Sequence, residues 1–166
     1  MPIKMTPDEY YWAFTLGNYH EFMNDKSSVM KAFNSAVSAS HLADCYFNFY
    51  EKNNPKKIVE YKNLIEFINY ISQNTNLFFK DIRSIANAYK HLYTGSNEKN
   101  SNYSSISSAG IIEVVAFETE DINQISEEIT ELTSELNVVY TRKTGEQFQY
   151  IEAIESVIRF WEKLIY

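Results

Sequence analysis

Along most of this chain the apolar and small residues recur at three- and four-residue spacing, the period of a helix with one buried face. Val29, Phe33, Ala36, Val37, Ser40, Ala43 and Phe47 mark a helix from about Ser27 to Tyr50, stopped by Asn53-Asn54-Pro55. Pro55 is suited to open the next helix, whose stripe of Ile58, Tyr61, Leu64, Ile65, Ile68 and Ile71 predicts that it continues to about Asn74. A further helix over Asn76 to Tyr93 uses Phe78, Ile82, Ile85, Tyr89 and Leu92, with Gly95 as its stop signal. At the start, Thr6-Pro7-Asp8-Glu9 combines an N-cap hydroxyl, a proline in the first turn and a glutamate three residues after the cap. It predicts a helix to about Asn24, weakened in its middle by Gly17.

The pattern changes after Gly95. Ser96 to Ser108 is rich in Ser and Asn and predicts an exposed, mobile loop. Ile111 to Phe117 is rich in β-branched residues and predicts a strand, and Val138 to Tyr150 predicts a hairpin turning at Lys143-Thr144-Gly145. Between them Ile122, Ile125, Ile129, Leu132 and Leu136 return to helical spacing, which predicts an acidic surface helix. Tyr150 to Ile165 closes the chain as a helix with Ile151, Ile154, Ile158, Trp161 and Ile165 on one face. Short links between helices favour antiparallel neighbours. The expected fold is therefore mainly α: an antiparallel helical bundle over 1–95, a mobile loop over 96–108, and a small C-terminal β-hairpin with a final helix over 109–166, all in one domain.

Composition supports a single packed core. The 166 residues are 45% hydrophobic, with 13 Tyr and 11 Phe against only 4 Gly and 3 Pro. The lone Cys45 excludes an internal disulfide, so the cytoplasm is the expected compartment. Residues 1–12 lack the basic and apolar regions of a signal peptide, and no run of apolar residues is long enough to span a membrane. The net charge of −7 sits in the C-terminal part. Residues 1–99 carry 11 basic and 10 acidic side chains, whereas 100–166 carry 4 and 12. No basic residue lies between Lys99 and Arg142, which makes that stretch a poor surface for nucleic acid.

One segment concentrates chemistry. On the helix that spans Asp81 to Leu92, Arg83, Asn87, Lys90 and His91 fall on one side together with Lys80. Arg binds phosphate through a fork of donors, Lys adds point charge and His exchanges protons near neutrality, so the set suits a phosphodiester. An ordinary solvated helix face has the same composition. The string Asp81-Ile82-Arg83-Ser84-Ile85-Ala86-Asn87-Ala88-Tyr89-Lys90-His91-Leu92, with His41-Leu42-Ala43-Asp44 before it and Phe160-Trp161-Glu162 after it, resembles a broad set of bacterial helical proteins that carry an IANAxKH signature. More distantly, an Arg followed by a His on a late helix of an antiparallel bundle resembles the HEPN superfamily. That resemblance implies a metal-independent RNase site at a dimer interface, in toxin or phage-defence systems, with Arg83 and His91 at the matching positions. Seven residues separate the two here, a wider spacing than the family's.

Other arrangements are weaker. His20, His41 and His91 stand on separate helices without any metal-ligand spacing, so no metal is expected. His41 and Asp44 lie one turn apart and suit a hydrogen-bond pair within their helix or a packed polar spot between helices. Cys45 beside Tyr46 and Phe47 suits a small buried hydrophobe. No Walker loop, GxGxxG, GxSxG or EF-hand loop is present, and no cofactor is expected. The expectation is a non-catalytic protein-interaction module, a homodimer with a possible protein partner. The alternative is a HEPN-like RNase acting on RNA through Arg83 and His91, supported by Asn87 and Lys90.

Overall fold

The structure is a computed structural model that describes residues 5–91, 104–107, 112–120 and 132–166. The chain is mainly helical, with a small three-stranded antiparallel sheet and a final helix. No described helix is long and apolar enough to cross a membrane.

The N-terminal capping box forms as expected. Glu9 N donates to Thr6 Oγ1 at 3.4 Å while Thr6 N donates to the Glu9 carboxylate at 2.8 Å, satisfying two of the open donors at the start of α1 (Pro7–Tyr10). The helix then widens into a π-helical stretch, Tyr11–Leu16, and resumes as α2 (Gly17–Met23). The expected single helix is thus interrupted by a wider turn ahead of Gly17, and Gly17 itself stays helical. Within the stretch, Tyr11 and Thr15 are buried, and Thr15 Oγ1 donates to the Ser38 carbonyl at 3.4 Å.

Helix α3 (Val29–Asn53) is the spine of the fold. Ser28 caps it by accepting from Lys31 N, and the helix runs a turn further than Tyr50. Its buried residues mix small ones, Ala32, Ser35, Ala36, Ala39, Ser40 and Ala43, with the large Phe33, Leu42, Tyr46 and Phe47. Ser35 and Ser38 return their hydroxyl protons to carbonyls of their own helix, so these polar groups are buried without an orphaned donor.

The expected helix over 55–74 divides. A 3₁₀ turn, Pro55–Ile58, buries Ile58, and α4 (Leu64–Gln73) starts afresh. The reason is local: Asn63 accepts from Glu66 N at 3.0 Å while the Glu66 carboxylate accepts from Lys62 N at 2.9 Å, a cap that outcompetes continuation through residues 59–63. Helix α5 (Phe78–His91) follows, capped by Thr75, whose Oγ1 accepts from Phe79 N at 3.1 Å.

Strands β1 (Ile112–Glu120), β2 (Leu132–Thr141) and β3 (Gln147–Gln149) form a meander in that order, with Ile112 opposite Tyr140 and Val139 opposite Gln149. The turn into β3 uses Gly145 at φ +91°, a conformation that favours glycine. The acidic surface helix is not found at its described ends. Leu136 lies in β2, as does Leu132, and Glu118 pairs with Ser134 across the sheet; Ile122, Ile125 and Ile129 lie outside the described residues. Ladder hydrogen bonds and cross-strand pairing override the helical spacing there. Of the expected loop only 104–107 is described, and it is not simply exposed: Ile106 is buried and Ser105 is hydrogen-bonded to α5.

Helix α6 (Tyr150–Ile165) has the expected bounds. It drives Trp161, fully buried, among Tyr46, Phe67 and Phe79, with ring centroids 6.1 to 6.3 Å away. At its start the buried Tyr150 hydroxyl donates to the Ala32 carbonyl and lies 2.7 Å from Ser35 Oγ, which fastens α6 to α3.

Candidate functional site

Helix α5 places its polar residues against three different neighbours. Arg83 does not face open solvent as a spare cation. Its Nη1 and Nη2 donate to the two carboxylate oxygens of Asp44 at 3.3 and 3.4 Å, and Nη1 also lies 3.4 Å from Ser40 Oγ. Both side chains are about one-third exposed, so the pair sits in a partly dried seam between α3 and α5. Asp44 thus belongs to a packed polar spot between α3 and α5, where the fork of a guanidinium on a second helix matches its two carboxylate oxygens. Asn87 is exposed one turn further along. The side chains of Lys90 and His91 lie outside the described residues; of the expected quartet the structure describes Arg83, paired with Asp44, and the exposed Asn87.

On the adjoining face of α5 lies a group that the amino-acid pattern did not single out. Asp81 is fully buried and saturated with donors. Arg142 Nε lies 2.9 and 3.1 Å from its two oxygens, Arg142 Nη2 donates at 2.8 Å, the Tyr140 hydroxyl at 2.6 Å and Ser105 Oγ at 2.7 Å. Ser84, one turn along, accepts from Ser105 N at 3.0 Å and donates to the Lys80 carbonyl. The Arg142 guanidinium also lies over the Phe148 ring at 4.2 Å. Burial, followed by the Asp81 charge, pushes the Tyr140 hydroxyl well above the ordinary tyrosine range, so it remains a donor at every physiological pH. The arrangement joins α5, the 104–107 segment and the end of β2. Both oxygens of the buried carboxylate are used, and the network ties the three elements together as a structural clamp.

The histidines do not add a metal centre among the described residues, which hold no group of three His, Cys, Asp or Glu side chains suited to an ion. His20 is exposed on α2 with its ring beside Tyr19, and His41 is half-buried on α3. Cys45 is half-buried, and burial, followed by the neighbouring Asp44 charge, pushes its thiol up, opposite to what a nucleophilic thiolate needs.

The concave surface with accessible chemistry lies elsewhere, between the π-helical stretch and α6. It is a cleft of about 490 Å³. Tyr11 forms its buried floor, while Trp12 and Tyr166 rise from it, 59% and 71% exposed, with Trp12 Nε1 donating to the Tyr166 hydroxyl. Glu162 and the Glu155–Arg159 pair (3.6 Å) line the α6 side. Burial, then the charge of Glu162, raises the Tyr11 hydroxyl to about 12. Trp12 is one of several aromatics within the first predicted helix, beside Tyr10, Tyr11 and Phe14. The wider π turn that separates it from the buried Tyr11 and Thr15 carries no sequence signal of its own.

Set against protein-family models, curated proteins and solved structures, the chain matches none.

Proposed function

We propose that this chain is a non-catalytic protein-interaction module that engages its partner through the cleft between the π-helical stretch and α6. One contrast carries the reading. Arg83, the phosphate-binding fork expected on α5, is held by Asp44, whereas Trp12 and Tyr166 stand exposed on the rim of a concavity. Large aromatic residues at a concave surface are the side chains that supply most binding energy in protein recognition. A phosphate arriving at Arg83 would have to displace a carboxylate that already holds the guanidinium fork by two contacts. The partner is a protein, and a second copy of this chain is included among the candidates.

The HEPN-like RNase is the rival reading, and one purification tests both. The expected result is that the chain, in chelator, leaves labelled single-stranded RNA intact, and that a stoichiometric co-purifying protein is lost on Trp12→Ala while the circular dichroism is unchanged. RNA cleavage by the wild type that disappears in both Arg83→Ala and His91→Ala would overturn the proposal in favour of a nuclease.

A further inference from the structure

We infer that the cleft walled by Trp12 and Tyr166 receives an alkylammonium group, the charged end of a lysine side chain or its methylated form, carried by an extended segment of the partner. The inference rests on the reading of this cleft as the partner-binding surface and adds what that surface recognises.

The first support is the arrangement of rings. The Tyr11, Trp12 and Tyr166 centroids are 6.1, 6.2 and 6.4 Å apart, and the planes meet at 66° to 75°. Three rings set nearly at right angles make a corner, and rings in such a corner can offer their negative π-faces to one cation, which is held within about 6 Å of a ring centroid. Tyr11 closes the bottom, so the approach is along Trp12 and Tyr166.

The second support is charge. Glu162 lies one turn before Tyr166 on the same side of α6 and makes no ion pair among the described residues. Arg159, the arginine of the cleft, is held by Glu155, and His20 lines the opposite side. The unbalanced charge beside the rings is therefore negative, matching the excess of acidic residues in the C-terminal part of the chain. Aromatic walls with one carboxylate favour an alkylammonium over a bare metal ion: the walls attract positive charge and pack against its carbons, but replace little of a metal ion's water shell.

The third support is the continuation of the surface. A second concavity, about 750 Å³, adjoins the first and shares Glu155 and Arg159 with it. It runs along α6 past Tyr70 and Phe160. A small free cation would fill only the corner, whereas an extended chain can place one basic side chain there and lay its neighbours along α6. That continuity favours a peptide segment as the occupant.

The test uses the full chain, labelled with nitrogen-15, and follows the two indole N–H signals. Trp161 is fully buried and serves as the internal reference for Trp12. Tetramethylammonium chloride is titrated at constant ionic strength, beside 2,2-dimethylpropan-1-ol, a neutral molecule of nearly the same shape. The expected result is a saturable movement of the Trp12 signal with the cation, none with the alcohol, and binding weakened about two- to fivefold by Glu162→Gln and by Tyr166→Ala. Both substituted residues are exposed, so the variants retain the fold. Absence of a saturable movement, or an equal response to the alcohol, overturns the cation site. A partner still lost on Trp12→Ala in that case would leave the interaction reading standing, so the two failures are told apart.

Discussion

Arg142 grips the fully buried carboxylate of Asp81 through Nε and Nη2, at 2.8 to 3.1 Å, and so ties the end of β2 to the first turn of α5. Removing one partner leaves the other's charge buried without compensation, a loss of about 3–5 kcal/mol. Asp81→Asn and Arg142→Met should each lower stability by that order. Tyr140→Phe, which removes one hydrogen bond to the same carboxylate, should cost about 1.5–3 kcal/mol. The double variant Asp81→Asn/Arg142→Met should cost clearly less than the sum of the singles, because no uncompensated charge remains. Urea unfolding midpoints of the four variants decide this. Additive effects would mean that the pair is not coupled.

The Arg83–Asp44 pair predicts a different scale. Both side chains retain about one-third of their exposure, so solvent screens the attraction. Arg83→Ala and Asp44→Ala should each cost about 1 kcal/mol or less, with a coupling of a few tenths in a double-mutant cycle that shrinks in high salt. A cost of several kcal/mol at Arg83 with no salt dependence would place the pair in the load of the core.

The contrast between these two pairs also explains what the amino-acid pattern could disclose. Helices α3, α5 and α6 were legible because their buried faces repeat locally, and the bounds of α6 were read correctly at both ends. Asp81 lies inside the segment that drew attention for its Arg and His, yet its partners Ser105, Tyr140 and Arg142 are 24, 59 and 61 residues away. No local pattern encodes such a meeting. Arg83 was legible as a polar residue on a helix, but Asp44 as its partner was not, since that depends on which face of α3 meets α5. The strand identity of Leu136 failed for a related reason: a spacing of three and four is compatible with a helix, and cross-strand pairing decides the matter.

A third feature predicts a gain in stability. Asn76 and Leu77 join α4 to α5 with φ of +51° and +66°. Asn accepts the left-handed region readily, whereas leucine pays about 1–2 kcal/mol there. Leu77 is half exposed, and its backbone N–H donates to the Ser72 carbonyl at 2.8 Å, a bond that glycine retains. Leu77→Gly should therefore stabilise the chain by about 0.5 kcal/mol, once the added freedom of the unfolded glycine chain, about 0.5–1 kcal/mol, is subtracted. A lower thermal midpoint for this variant would mean that the leucine side chain contributes more packing than its exposure implies.

The tyrosines make stability sensitive to alkali. Burial, reinforced for Tyr11 by Glu162 and for Tyr61 by Tyr70, raises both hydroxyls to about 12, and burial pushes those of Tyr140 and Tyr150 higher still. In the unfolded chain the same groups titrate near 10. The folded state thus holds protons that the unfolded state has released, and stability falls as pH rises above that value. The contribution is fully present below pH 10 and is lost progressively towards pH 12 and beyond, by an amount on the order of a few kcal/mol over the set. A spectrophotometric titration of phenolate absorbance should show part of the 13 tyrosines ionising normally and the rest only with unfolding. Tyr61→Phe, which deletes one late-titrating hydroxyl, should move the alkaline unfolding midpoint to higher pH while leaving stability at neutral pH nearly unchanged. If all 13 ionised together near pH 10 with the fold intact, the buried positions of Tyr140 and Tyr150 would be wrong.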